Sequence, residues 1–222
     1  MSDLSQVING LIRYEWRDLA TALEEPGVYA WYSNLFVSTA DVDQFEQTVI
    51  EMRTKGGNVL EYIQERLDQL IFRRYREDNY QVQLTGALKP RFSGEALHQP
   101  TLSPGLLERL AEDPTRFRQI AEALSGAAPA FTAPLYIGMA KSLRERLMKH
   151  KTLIERLLDS RSNRGVSEID DGDAGFARQI VARRFDPTNL FVHVRVVNVK
   201  SNEQVDVENI LNRINFPIFG RN

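Results

Sequence analysis

Hydrophobic positions along the chain fall into alternating helical and strand periods. Val7, Leu11, Trp16, Leu19 and Leu23 recur at near-helical spacing and predict a helix over 4–23, stopped by Pro26-Gly27. Val28 to Tyr32 is a run of β-formers bounded by Ser33-Asn34, and predicts a strand. The period returns to helical over 41–53, breaks at Lys55-Gly56-Gly57, and resumes over 58–76. In that second helix Val59, Leu60, Ile63, Leu67, Leu70 and Ile71 form one apolar stripe, and Arg73, Arg74 and Arg76 occupy the last turn, where cations suit the dipole. Tyr80, Val82 and Leu84 alternate with glutamines in a short strand, and Gly86, Pro90 and Gly94 punctuate the stretch beyond it.

Ser103-Pro104 and Asp113-Pro114 each set a capping residue before a proline, which predicts helices over 104–111 and 114–124 and a loop over 125–134. A strand over 133–139 leads into a long amphipathic helix over 141–159, with Leu143, Leu147, Ile154 and Leu157 inward. A polar loop over 160–175, a helix over 175–184, a strand alternating from Leu190 to Val197 and a helix over 203–214 complete the chain. The three strong strands with their flanking helices predict an α+β core built from residues 1–39 and 131–222. Residues 40–130, mainly helical, read as an insertion between the first two core strands.

Composition narrows the class. At 222 residues, 42% hydrophobic and 26% charged, the chain can bury a real core. It contains no apolar run near the roughly 20 residues of a membrane helix, and no signal-like start, so a cytoplasmic protein is expected. Zero cysteines exclude disulfides, thiolate zinc and a cysteine nucleophile. Three histidines (His98, His150, His193) make an all-histidine metal centre a poor fit, so any metal should be hard and oxygen-bound. The net charge of −2 is not that of a simple nucleic-acid binder, yet residues 134–164 alone carry +5. That local patch suits a phosphate backbone, while 40–130 carries −3.

The candidate chemistry lies in five blocks in order. Gly27-Val28-Tyr29 opens the first core strand, and Tyr136-Ile137-Gly138 ends the second. Arg146 follows eight residues after Gly138, and His150 four after Arg146, so both project from one helix face. The final helix carries Glu208, and Pro217 to Asn222 closes the chain. Together these blocks resemble the GIY-YIG nuclease superfamily, nearest to its stand-alone restriction-endonuclease-like members.

The resemblance implies a small three-stranded antiparallel sheet flanked by helices, with Tyr29, Tyr136, Arg146, His150, Glu208 and Asn222 as the catalytic set. It implies Mg²⁺ or Mn²⁺ held by Glu208, and Arg146 forked onto the phosphate, which a planar guanidinium does better than lysine. The Tyr29 hydroxyl would orient or deprotonate the attacking water. A free phenol has a pKa near 10, so it needs help from a neighbouring metal, Arg146 or a neutral His150, which lowers that cost or takes the proton, and the identity of the base stays open among them. Lys141, Arg144 and Lys149 are the candidate DNA-phosphate contacts, and His98 and His193 are expected to be structural or surface residues.

Two departures shape the expectation. Tyr29 and Tyr136 stand 107 residues apart where the family uses a hairpin or short spacer, so a subdomain for recognition, dimerisation or regulation is expected between them. Met139 stands where some relatives carry lysine. The expected function is metal-dependent hydrolysis of DNA phosphodiester bonds, of restriction or phage-defence type, by a homodimer. The alternative is an inactive GIY-YIG scaffold that binds DNA, or a protein partner through residues 40–130.

Overall fold

The computed structural model describes residues 10–76, 79–84, 86, 92–96, 101–162, 175–197 and 203–219. Val7, His98, Asn222 and positions 163–174 of the expected loop lie outside the described residues. Two compact units divide the chain, residues 1–36 with 122–222, and residues 37–121.

The first unit is α+β. Its strands are β1 (Ile12–Glu15), β2 (Gly27–Ser33), β5 (Tyr136–Ala140) and β6 (Leu190–Val196), in the order β1-β6-β2-β5 with every neighbour antiparallel. The sheet therefore has four strands, not the expected three. The addition is β1, which falls where a helix is expected over 4–23; Ile-Arg-Tyr-Glu alternates in period 2 and pairs along the free edge of β6, with Ile12 opposite Val194 and Glu15 opposite Phe191. Among the described residues of that segment only Trp16–Thr21 is helical, as a 3₁₀ turn that buries Trp16 and Leu19, three residues apart as the tighter period requires.

One sheet face carries α5 (Leu143–Ser162), α6 (Gly175–Ala182) and α7 (Glu203–Asn215). On β2 the odd-numbered residues Gly27, Tyr29, Trp31 and Ser33 are all buried, while Ala30 and Tyr32 on the other face are half-exposed. Leu143, Leu147, His150 and Ile154 form the buried stripe of α5; Leu153 is buried beside them, and the expected inward Leu157 is only half-buried. No helix among the described residues is long and apolar enough to cross a membrane.

The second unit contains α1 (Thr39–Lys55), α2 (Val59–Leu67), the β3 (Tyr80–Leu84) and β4 (Phe92–Ala96) hairpin, and α3 (Pro104–Glu112). Ser38 caps α1 by accepting from the Asp41 amide, and Gly56 ends it at φ 78°, a left-handed conformation that glycine adopts freely. Phe45 packs on Tyr62 and Phe117 at the centre of this unit. The helix expected over 58–76 changes winding at Asp68–Phe72, a π turn, and again at Arg73–Tyr75; Leu60, expected in the apolar stripe, is exposed.

α4 (Arg116–Phe131) begins in this unit and ends in the first. It runs through Ser125-Gly126 and over Pro129, where a loop is expected, because the flanking alanines are strong helix formers and the Ala128 carbonyl still receives the Thr132 amide.

Candidate active site

β2 and β5 pair with Tyr29 opposite Gly138 and Trp31 opposite Tyr136, so both tyrosines and Trp31 share the face under the helices. Gly138 makes room for them. A Cβ there would lie 2.6 Å from the Tyr29 hydroxyl oxygen, 2.7 Å from Tyr29 Cζ and 2.8 Å from Tyr136 Cε1. The Tyr29 ring thus lies across the backbone of its neighbouring strand, which no side chain at 138 would permit.

α5 then brings two donors or acceptors to one oxygen. His150 Nε2 sits 2.8 Å from the Tyr29 hydroxyl, and Arg146 Nε donates to the same hydroxyl at 3.2 Å. The Tyr136 ring lies beside it, its centroid 6.2 Å from that of Tyr29. His150, 1% exposed, occupies a position in the apolar stripe of α5 that a leucine would fill in an ordinary helix. It is tolerated because its ring meets Tyr29, Trp31, Tyr136 and Phe176 edge-on at centroid distances of 5.2–6.3 Å. Burial, the largest cause, and the neighbouring Tyr136 push the Tyr29 pKa well above the ordinary phenol value; Arg146 opposes both. Tyr29 is a neutral phenol at physiological pH.

Above this network lies a cleft of about 450 Å³ lined by Tyr136, Met139, Ala140, Lys141, Ser142, Glu145, Arg146, Lys149 and Glu208. Tyr136 is the tyrosine that lines it, and Tyr29, 2% exposed, lies behind. Three residues expected from the sequence therefore meet directly through one hydroxyl, Tyr29, Arg146 and His150, with the Tyr136 ring beside them, and Glu208 lies with Tyr136 and Arg146 at the cleft wall. Lys141 and Lys149 are exposed on its rim.

Arg144 is placed elsewhere. Its Nε donates to the Ala22 carbonyl at 2.7 Å and its Nη1 to Glu24, so its guanidinium ties α5 to the chain before β2. The expected catalytic Asn222 lies outside the described residues; just before it, the amides of Ile218 and Phe219 donate to the carbonyls of Pro134 and Leu135, laying the chain beside the start of β5. His193 is remote from the cleft, half-buried against Tyr32 and Phe191, and burial and Arg13 lower its pKa.

Glu208 fits a hard divalent cation. It is a carboxylate at the cleft wall beside Arg146, and among the described residues no group of three or more His, Cys, Asp or Glu forms a closed cage. A cation that keeps most of its waters needs only one or two protein oxygens.

Three further residues escape sequence reasoning. Trp31 and Phe176 stack at 5.4 Å as walls for His150, and the signal for Trp31 is its position two residues after Tyr29 on the same strand face. Gln204, 3% exposed on α7, has a buried Oε1 with no hydrogen-bond partner, a state that costs about 1–3 kcal/mol. No family model, curated protein or solved structure matches this chain.

Proposed function

We propose that this chain is a metal-dependent endonuclease of the GIY-YIG type that hydrolyses DNA phosphodiester bonds, with residues 1–39 and 131–222 as its nuclease core. The observation that carries the reading is the Tyr29 hydroxyl held by Arg146 Nε and His150 Nε2 behind a cleft walled by Tyr136, Arg146 and Glu208. A neutral phenol bonded to both a fixed cation and an imidazole is costly to assemble as mere core, since an aliphatic residue would fill the space without burying polar groups.

Hydrolysis requires a water oxygen to bond to phosphorus, the bridging P–O bond to break, and the departing oxygen to gain a proton. Arg146, on the cleft wall, pairs its guanidinium with non-bridging phosphate oxygens. Tyr136 meets the attacking water at the cleft surface. The water gives its proton to the Tyr136 hydroxyl, Tyr136 passes its own to Tyr29, and the Tyr29 phenol hands its proton to His150 Nε2, 2.8 Å away, while the departing oxygen takes a proton from a solvent water in the open cleft. The raised pKa of Tyr29 favours this exchange over a standing tyrosinate. A divalent cation at Glu208, Mg²⁺ or Mn²⁺, supplies Lewis-acid stabilisation of the phosphate charge when bound. Lys141 and Lys149 at the rim hold the flanking backbone.

The test is cleavage of supercoiled plasmid and of labelled single-stranded DNA with Mg²⁺, Mn²⁺ or EDTA. Wild type cuts only with metal, and Glu208→Ala loses at least about 10²-fold in rate while its circular dichroism is unchanged. Cutting in EDTA, or an active Glu208→Ala, overturns the reading. Binding of DNA without turnover in every condition supports the scaffold alternative instead.

A further inference from the structure

α7 is inverted for a helix held by an apolar face. Its buried residues are Gln204 and Glu208, whereas Val205, Ile210 and Ile214 are exposed. Gln204, Glu208 and Asn212 stand one turn apart and form a single stripe of amide, carboxylate and amide. The helix lies against β5 and β2, the strands of the two tyrosines, so the buried stripe is the side turned to those strands, with Glu208 at the cleft. Two of its members are accounted for. Asn212 Nδ2 donates to the Glu208 carbonyl at 3.0 Å, and the Glu208 side chain lines the cleft. The third is not, since the Gln204 Oε1 is buried and accepts nothing. Buried polar oxygens in native proteins have partners, and one that lacks a protein donor is completed by water or a ligand.

We infer that Gln204 is a positioning residue for the divalent cation assigned to Glu208, its Oε1 accepting a hydrogen bond from a water in that cation's hydration shell. This rests on the proposed nuclease reading and adds a residue to it. A neutral oxygen suits the role: it orients a metal-bound water without adding charge, and leaves the carboxylate to Glu208. The burial of Gln204, one turn from Glu208 on a helix whose aliphatic residues face outward, is a sacrifice of packing that metal orientation explains.

Mn²⁺ titration followed by water-proton relaxation, on metal-free protein without DNA, tests this in wild type, Glu208→Ala, Gln204→Met and Gln204→Glu. Thermal unfolding in EDTA is measured beside it. Methionine keeps the length and removes the oxygen, so Gln204→Met should weaken Mn²⁺ binding about 10-fold or more, with a Tm in EDTA at or above wild type. Gln204→Glu, which restores an oxygen, should bind at wild-type affinity or tighter. Wild-type Mn²⁺ affinity in Gln204→Met overturns the inference alone, provided Glu208→Ala has lost binding. Equal binding in Glu208→Ala and wild type, or none in either, overturns the metal assignment at Glu208 and this inference with it. Should Gln204→Met unfold, weaker binding by a folded Gln204→Glu overturns the role.

Discussion

At Gly138 the strand backbone and the Tyr29 ring share a space that a single methyl would close, with an added Cβ 2.6 Å from the hydroxyl oxygen. Backbone sits on one side of that contact and a ring locked by Arg146 and His150 on the other, so neither can give cheaply. Gly138→Ala should swing the Tyr29 hydroxyl away from its two α5 partners. A displacement of that size costs about 10²-fold in kcat and about 1–3 kcal/mol in stability. KM for DNA should stay near wild type, because Lys141 and Lys149 lie on the rim and not against the tyrosines. Steady-state cleavage with a matched denaturation curve measures both. A kcat within twofold of wild type would show that the position of the Tyr29 hydroxyl does not matter to the reaction.

α5 serves the site through its first two turns. They hold Arg146 and His150, and the start of the helix is strapped down by Leu143 and Arg144, whose amides donate to the carbonyls of Glu25 and Leu23. The Arg144 side chain adds its bonds to Ala22 and Glu24. Arg144→Ala should therefore cost about 1 kcal/mol and a few degrees of Tm, with duplex affinity at fixed salt unchanged. Weaker DNA binding at an unchanged Tm would instead return Arg144 to the phosphate contacts expected from its sequence position. Helix periodicity alone places Arg144 among the basic residues of 134–164, and nothing local distinguishes a strap from a DNA contact; the partner, Glu24, lies 120 residues away.

The same limit explains which elements are legible. Long periodic segments such as α5, β6 and α7 stand within a few residues of where their patterns put them, and the tripeptides around Tyr29 and Tyr136 mark two strands that do pair. Ile12–Glu15 is too short for its period to be told from a helix, and the open edge of β6 decides it. Ser125-Gly126 and Pro129 carry loop chemistry that the surrounding alanines override. The meeting of Tyr29, Tyr136, Arg146 and His150 follows from strand order and helix face, whereas Gln204 is a polar residue on a helix with exposed aliphatics, and its burial depends on where α7 docks.

Over the whole molecule a net charge of −2 gives no long-range pull toward a polyanion, so under the proposed function DNA affinity would come from the local +5 of residues 134–164. Not all of that charge is equivalent. Three of its cations line the cleft, Lys141, Arg146 and Lys149, while Arg144 is spent on Glu24. Each phosphate neutralised on duplex DNA contributes about −0.9 to the slope of log affinity against log salt concentration, so the cleft alone accounts for a slope of about −3. Measured in EDTA, to keep the duplex intact, wild type should show at least that dependence. Lys141→Ala combined with Lys149→Ala should reduce its magnitude by about 2, with Arg146 left to carry the remainder. Any wild-type slope steeper than about −3 that survives in this double variant measures contacts outside the cleft, for which residues 40–130, despite their net −3, have basic residues of their own. An unchanged slope in the double variant would mean that DNA does not approach through this cleft, and the rim lysines would lose their assigned role.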